Sequence, residues 1–224
     1  YEYSFGRQNW FEYSAAEHRS MREGCALLDQ SSFSKYLCQG RDACAVLQRI
    51  CSADVDVEPG KVVYTHWLNE RGGIEADLTV TRIDERTFWI ISGAAVTHKD
   101  LDWLSRYVPA DAHCWVTDIT SAWAVLGVMG PHSAALLSRL SNTDFSQASF
   151  PFGTARNIEI GYAVCRAFRV SYVGEVGWEI YVPVDQARHV FDTISDAGDA
   201  HGLVMAGMHA MDSCRLEKRF VHFG

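Results

Sequence analysis

The stretch "KVVYTHWLNERGGIEADLTVTRI", residues 61–83, limits the folds open to this chain more than any other. It reads as two strands, "KVVYTHWLN" and "IEADLTVTRI", joined by "ERGG", a glycine-containing link of hairpin length. "TFWIIS" supplies a third strand soon after. Alternation along the second strand puts Ile74, Ala76, Leu78 and Val80 on one face and Glu75 and Asp77 on the other. With the apolar face in the core, Asp77 points away from it, into solvent or a cleft.

Helical patterns surround this hairpin. "YSAAEHRSMREGCALLD" reads as a helix with Ser14 as N-cap and Glu17 completing a capping box, and Gly24 is placed to weaken or end it. "FSKYLCQG" alternates as a strand, and "RDACAVLQRIC" follows as a helix capped by Asp42 that buries Val46, Leu47 and Ile50. "THKDLDWLSRYV" is a helix with Thr97 and Asp100 as cap and box and Leu101, Leu104 and Val108 on one face. Beyond Pro109 the cycle repeats. "CWVTDIT" and "AWAVLGVMG" are strands, and Pro131 starts the helix "HSAALLSRL" from the N1 position. After a long polar loop, "CRAFRVSYVG" and "GWEIYVP" form a hairpin around "VGEVG". Helices over "DQARHVFDTISDAG" and "HAMDSCRLEKRF" close the chain. Hairpins mixed with helices point to α+β rather than a doubly wound parallel sheet.

A length of 224 residues suits two domains, which the repeat of the cycle places at 1–110 and 111–224. The net charge of −8 is spread along the chain, so it concerns solubility and gives no reason to expect a nucleic-acid partner. No window approaches the ~18 apolar residues of a membrane span, and the first residues lack the order of a signal peptide. A cytoplasmic protein is expected, or one of the mitochondrial matrix in a eukaryote. Seven widely spaced cysteines, none in a C-x-x-C pair, favour reduced buried thiols over disulfides or zinc. The histidines form no H-E-x-x-H, and no metal is expected. The chain stops at "RFVHFG", just after an apparent helix, with nothing to cap or seal that end. This points to a piece of a longer protein.

Three polar clusters offer chemistry. In "VVYTHWLNERGGIEAD", Asp77 lies beside Tyr64, Asn69 and two glycines, either as an exposed strand charge or as a carboxylate for general-base or hydrogen-bond work. In "SYVGEVGWEIY", Glu175 and Glu179 accompany Tyr172 and Trp178. This is either a solvated hairpin tip with a structural tryptophan or a seat for a flat heterocycle, stacked on the aromatics and bonded through its N–H edge to a carboxylate. In "MDSCRLEK", Arg215 and Glu217 lie two apart on a helix and face different ways. They form a surface charge run, or one of them points inward. No phosphate loop is present, since "GEVG" lacks the glycine spacing and a Walker lysine.

Taken in order, "ALLDQSSFSKYLCQGRDA", "YTHWLNERGGIEADLTVTR", "VLGVMGPHSAALL", "YVGEVGWEIYVP" and "MDSCRLEK" resemble the signature blocks of the aminomethyltransferase family, the glycine-cleavage T-protein and its folate-dependent relatives. The "GGIEAD" form and the opening segment look most like the C-terminal folate half of dimethylglycine and sarcosine dehydrogenases. The resemblance implies a clover-leaf whose first two α+β subdomains are present here and whose third, barrel-like C-terminal domain is absent. It makes Asp77 the catalytic carboxylate, although Ala76 replaces a second aspartate usual in T-proteins. It places Tyr64, Tyr172, Glu179 and Arg215 at tetrahydrofolate, with Arg215 the least defined, and expects Asp77, Glu179 and Arg215 to converge on one cavity.

The implied activity is capture of a one-carbon unit from an N-methyl or aminomethyl amine as 5,10-methylene-tetrahydrofolate. FAD would belong only to a flavin oxidoreductase domain, covalently linked or separate, outside these residues. Without such domains the chain should bind folate weakly and oxidise nothing. The alternatives are a non-catalytic regulatory or scaffolding module of the same fold, or a folate-dependent S-demethylase. Iron–sulfur-assembly relatives are disfavoured because their "KGC" segment is missing.

Overall fold

Eleven strands and six α-helices follow one another along residues 1–223, the part of the chain that the computed structural model describes, the side chain of His201 excepted. In chain order they are α1 (Phe11–Glu23), β1 (Cys25–Asp29), β2 (Ser34–Gln39), α2 (Ala43–Ile50), β3 (Val62–Leu68), β4 (Ile74–Asp84), β5 (Thr87–Ser92) and α3 (Thr97–Arg106). There follow β6 (Trp115–Asp118), β7 (Trp123–Met129), α4 (Ser133–Leu140), β8 (Ala155–Ile160), β9 (Ala163–Phe168), β10 (Gly177–Pro183), α5 (Ala187–Gly198), β11 (Leu203–Ala206) and α6 (Met208–Glu217). The mixed α and β content is the α+β architecture expected.

The elements gather into two compact units. One holds residues 31–123, the short segment Gly153–Arg156 and, among the described residues, His222 and Phe223. Its sheet runs β3-β4-β5-β2-β6, and every adjacent pair is antiparallel. Strand periodicity sends Tyr36, Cys38, Ala76, Leu78, Val80, Phe88 and Ile90 to one face, where they pack with Val46, Leu47 and Ile50 of α2 and Leu104 of α3. Ile74, expected on this face, is exposed at the strand's first position.

The other unit holds Tyr1–Gln30, Ala124–Phe152 and Asn157–Val221. Its six strands run β11-β1-β7-β10-β9-β8. Both faces of this sheet are covered. Cys25 and Leu27 of β1 join a core with Leu136 and Leu137 of α4 and Val190 and Ile194 of α5. Ala26 and Leu28 face the opposite way, toward Met21 of α1 and Ala210, Met211 and Cys214 of α6. These units are discontinuous in sequence, unlike the halves 1–110 and 111–224. Residues 1–30 sort with the second half because β1 pairs with β7 and with β11.

Several local expectations change. Helix α1 starts at Phe11, so Ser14 lies inside its first turn, with its N–H on Trp10 O. Glu17 does not complete a capping box and accepts Gly207 N–H instead, at 2.9 Å. "CALLD" is a strand: a four-residue apolar run buried on both faces has no period that separates it from a helix. Asp42 flanks α2, but its carboxylate accepts His113 N–H at 2.7 Å, which lowers its pKa. Thr97 is the first residue of α3, not its cap, and its Oγ1 donates to Ala94 O. Asp100 is buried and accepts Ser92 Oγ–H. Pro131 precedes α4 by two positions, with His132 flanking the helix. The strand before "YVGEVG" ends at Phe168, so residues 169–176 form a longer connection than a hairpin turn, although β9 and β10 do pair antiparallel.

Candidate functional site

Asp77 stands on the face of β4 turned away from α2 and α3. Its neighbours Ala76 and Leu78 are each 3% exposed, whereas Asp77 is half-buried. The Tyr64 hydroxyl donates to Asp77 Oδ2 at 3.1 Å and lies 3.4 Å from His66 Nε2. His66 is directly opposite Asp77 in the β3–β4 ladder, and its ring meets Tyr64 edge-on with centroids 5.2 Å apart. Tyr64, His66 and Asp77 therefore form one polar cluster on that sheet face, with Tyr64 exposed and His66 and Asp77 half-buried.

The turn beside this cluster is set by Asn69. Its Oδ1 accepts the N–H groups of Arg71 and Gly73, and its Nδ2 donates to Glu75 Oε1 at 2.8 Å. Gly72 adopts φ +76°, the left-handed region that favours glycine. A Cβ on Gly73 would lie 2.9 Å from Asn69 Nδ2. The polar residues of "LNERGG" thus build the hairpin, and the carboxylate that follows them is what remains for chemistry.

In the six-stranded unit, Glu179 is half-buried on β10, and Tyr181, two residues on, donates its O–H to Glu179 Oε2 at 2.8 Å. Tyr172 stacks with Phe220 at 6.3 Å between centroids and 21° between planes. Arg215 donates through Nη1 to Phe220 O and through Nε to Asp212 at 2.7 Å. Phe220 thereby links Tyr172 and Arg215. Arg215 is the inward-facing member of its helix pair, with its side chain 13% exposed against 56% for Glu217. Trp178 is no ligand wall: it is fully buried, edge-on to Phe145 and Phe150 in the core. Glu175 pairs with Arg22 and Lys218. Tyr64 and Asp77 are brought together in one unit, and Tyr172 and Arg215, with Glu179 on β10, belong to the other.

Sequence reasoning missed His66, Tyr181, Phe220 and Arg22. His66 was legible, since it shares a strand face with Tyr64 two residues away. Arg22 carried no local signal. Its guanidinium donates to Val173 O, Glu175, Cys214 O and Glu217, partners 151 to 195 residues distant. Five of the seven cysteines are buried, and burial pushes Cys25 and Cys165 up to about 12. Among the described residues no group of three or more His, Cys, Asp or Glu side chains could hold a metal ion. Nor is any helix there long and apolar enough to cross a membrane.

The model of the GCVT N-terminal domain matches residues 1–224. The chain belongs to that family. It is 44% identical, over its whole length, to 4-methylaminobutanoate oxidase (formaldehyde-forming) of Paenarthrobacter nicotinovorans, of which it covers 27%. It is 31% identical to the mitochondrial sarcosine dehydrogenase of Homo sapiens, with 99% of this chain and 26% of that protein aligned. The structure of the glycine cleavage system aminomethyltransferase T from Bartonella henselae superposes with a TM-score of 0.81 at 26% identity, over 93% of this chain and 55% of that one. The family and the T-protein fold anticipated from the five sequence blocks are thus those of this chain. It spans about a quarter of the length of the two oxidising relatives.

Proposed function

We propose that this chain is the tetrahydrofolate-dependent one-carbon-capturing module of an amine-demethylating enzyme. The observation that carries the reading is Asp77: a half-buried carboxylate on the sheet face away from α2 and α3, gripped at Oδ2 by the Tyr64 hydroxyl and faced by His66. The donor set suits the cofactor. In the six-stranded unit Glu179, bound by a phenol, is the kind of acceptor that N–H groups of a reduced pteridine require, and the Tyr172–Phe220 pair offers aromatic surface.

Tetrahydrofolate, when bound, supplies nucleophilic amine nitrogens. Asp77 would take up a proton from such a nitrogen, and its negative charge would stabilise an electron-poor carbon beside it. Tyr64 fixes the carboxylate plane by holding Oδ2, which directs Oδ1 to the proton. Glu179 would accept hydrogen bonds from the cofactor's aminopyrimidine group, Tyr172 would offer its ring as a packing surface, and Arg215 orders the Phe220 segment beside Tyr172. The one-carbon unit comes from an N-methyl or aminomethyl amine. For an N-methyl amine, a flavin oxidoreductase domain, linked or separate, would take up two electrons and leave the iminium that is captured, in keeping with the oxidase and dehydrogenase names of the relatives. The compartment in this reading is the cytoplasm, or the mitochondrial matrix in a eukaryote.

Asp77→Asn in the full-length protein tests this. It keeps shape and removes the charge, so capture of a labelled one-carbon unit on tetrahydrofolate should fall by about 100-fold. Capture at the wild-type rate overturns the reading. Calorimetric titration with tetrahydrofolate separates it from a regulatory or scaffolding module, which would give no heat. The same capture assay with an S-methyl donor tests the S-demethylase alternative.

A further inference from the structure

Glu179 and Tyr181 lie two apart on β10 and project from the same side of the strand. Tyr181 is fully buried. Its ring packs against Phe168 at 4.5 Å between centroids, and Phe168 sits directly opposite Glu179 in the β9–β10 ladder. A phenol packed in this way has few rotamers open to it, so its O–H points in one direction, onto Glu179 Oε2 at 2.8 Å. Burial, and then the charge and hydrogen bond of Glu179, push the Tyr181 pKa well above its ordinary value. The hydroxyl is therefore a donor throughout the neutral range and never an anion beside Glu179.

We infer that Tyr181 is a positioning residue for ligand recognition: it fixes the plane of the Glu179 carboxylate so that Glu179 meets its ligand only as an acceptor. The inference rests on the proposed function, in which Glu179 receives the N–H edge of a flat heterocycle. It also restricts the ligand class. An edge that offers adjacent N–H donors is answered, and one that offers carbonyl acceptors finds an oriented anion and is rejected. Tyr181 touches no ligand in this account and acts through Glu179 alone.

A double-mutant cycle on the full-length protein decides the matter, with the tetrahydrofolate dissociation constant read by calorimetry for wild type, Tyr181→Phe, Glu179→Ala and the double variant. Tyr181→Phe keeps the ring and removes only the hydroxyl, and it should weaken binding about tenfold. Glu179→Ala should weaken binding further, and Tyr181→Phe should add nothing in that background. A tetrahydrofolate analogue with methyl in place of the pyrimidine amino group should be discriminated against less well by Tyr181→Phe than by wild type, a change that loss of packing alone does not produce. Wild-type affinity in Tyr181→Phe, or full additivity of the two substitutions, overturns the inference while leaving the proposed function standing. Wild-type affinity in Glu179→Ala overturns the inference together with the role that the proposed function gives Glu179, since nothing would remain for Tyr181 to position, while the Asp77→Asn test of one-carbon capture stands apart.

Discussion

Arg22 shows how much one side chain can carry in the six-stranded unit. Its side chain is 16% exposed, and it binds two backbone carbonyls and two carboxylates drawn from the 169–176 connection and from α6. Tyr172 and Arg215 lie on those two segments. Removing a largely buried cation takes a donor from two carbonyls and two carboxylates, of which Glu175 keeps Lys218 and Glu217 keeps His18, so Arg22→Met should cost about 2 kcal/mol, read as a lower urea midpoint at unchanged slope. The pH dependence has a definite sign. Glu217's pKa is lowered, chiefly by the hydrogen bond from Arg22 and with help from His18. A carboxylate whose folded pKa lies below its unfolded one contributes stability above the unfolded value, and that contribution is lost as pH falls through the folded value. Wild-type midpoints should therefore fall on acidification from neutral pH to about pH 3, and those of Arg22→Met should fall less. Glu217 is exposed, so salt should reduce the difference.

Among the elements, the β3–β4 hairpin was the most legible, because both of its determinants are local. Period-two alternation assigned the faces, and the polar turn with Gly72 and Gly73 assigned the reversal. Asn69→Ala removes two acceptor bonds and one donor bond within the turn, and Gly72→Ala forces a side chain into φ +76°. Each should lower stability by about 1 kcal/mol, with faster amide exchange in residues 62–80 as the local readout. Helices α2 and α5 were legible for a similar reason, since their apolar residues recur at helical spacing and are the ones buried. Strands β1, β8 and β11 were not. β1 is apolar on both faces, β8 opens with polar residues that read as loop, and β11 is only four residues long. Helix caps fared worst, because Asp42, Asp100 and Glu17 each found a partner outside the helix they were expected to cap.

At the scale of the molecule, the two units keep separate cores with no residue in common. Trp178 anchors one and Leu104 the other, both fully buried. Trp178→Ala should cost about 3–5 kcal/mol and Leu104→Ala about 2–5 kcal/mol. Exchange protection read by mass spectrometry should fall first in the strands of the unit that carries the substitution; uniform loss across both sheets would mean that they open together. By itself the sequence determined that the chain is α+β, that a hairpin spans residues 61–83, and that Asp77 leaves the core side of its strand. Those outcomes follow from steric rules acting over a few residues. Only the tertiary structure decided that β1 lies between β7 and β11, that Trp178 is core while Glu179 is half-open, that Tyr181 holds Glu179, and that Arg22 reaches residues up to 195 positions away. Such pairings depend on which distant surfaces and polar groups can be satisfied together, and no local period in the chain encodes that choice.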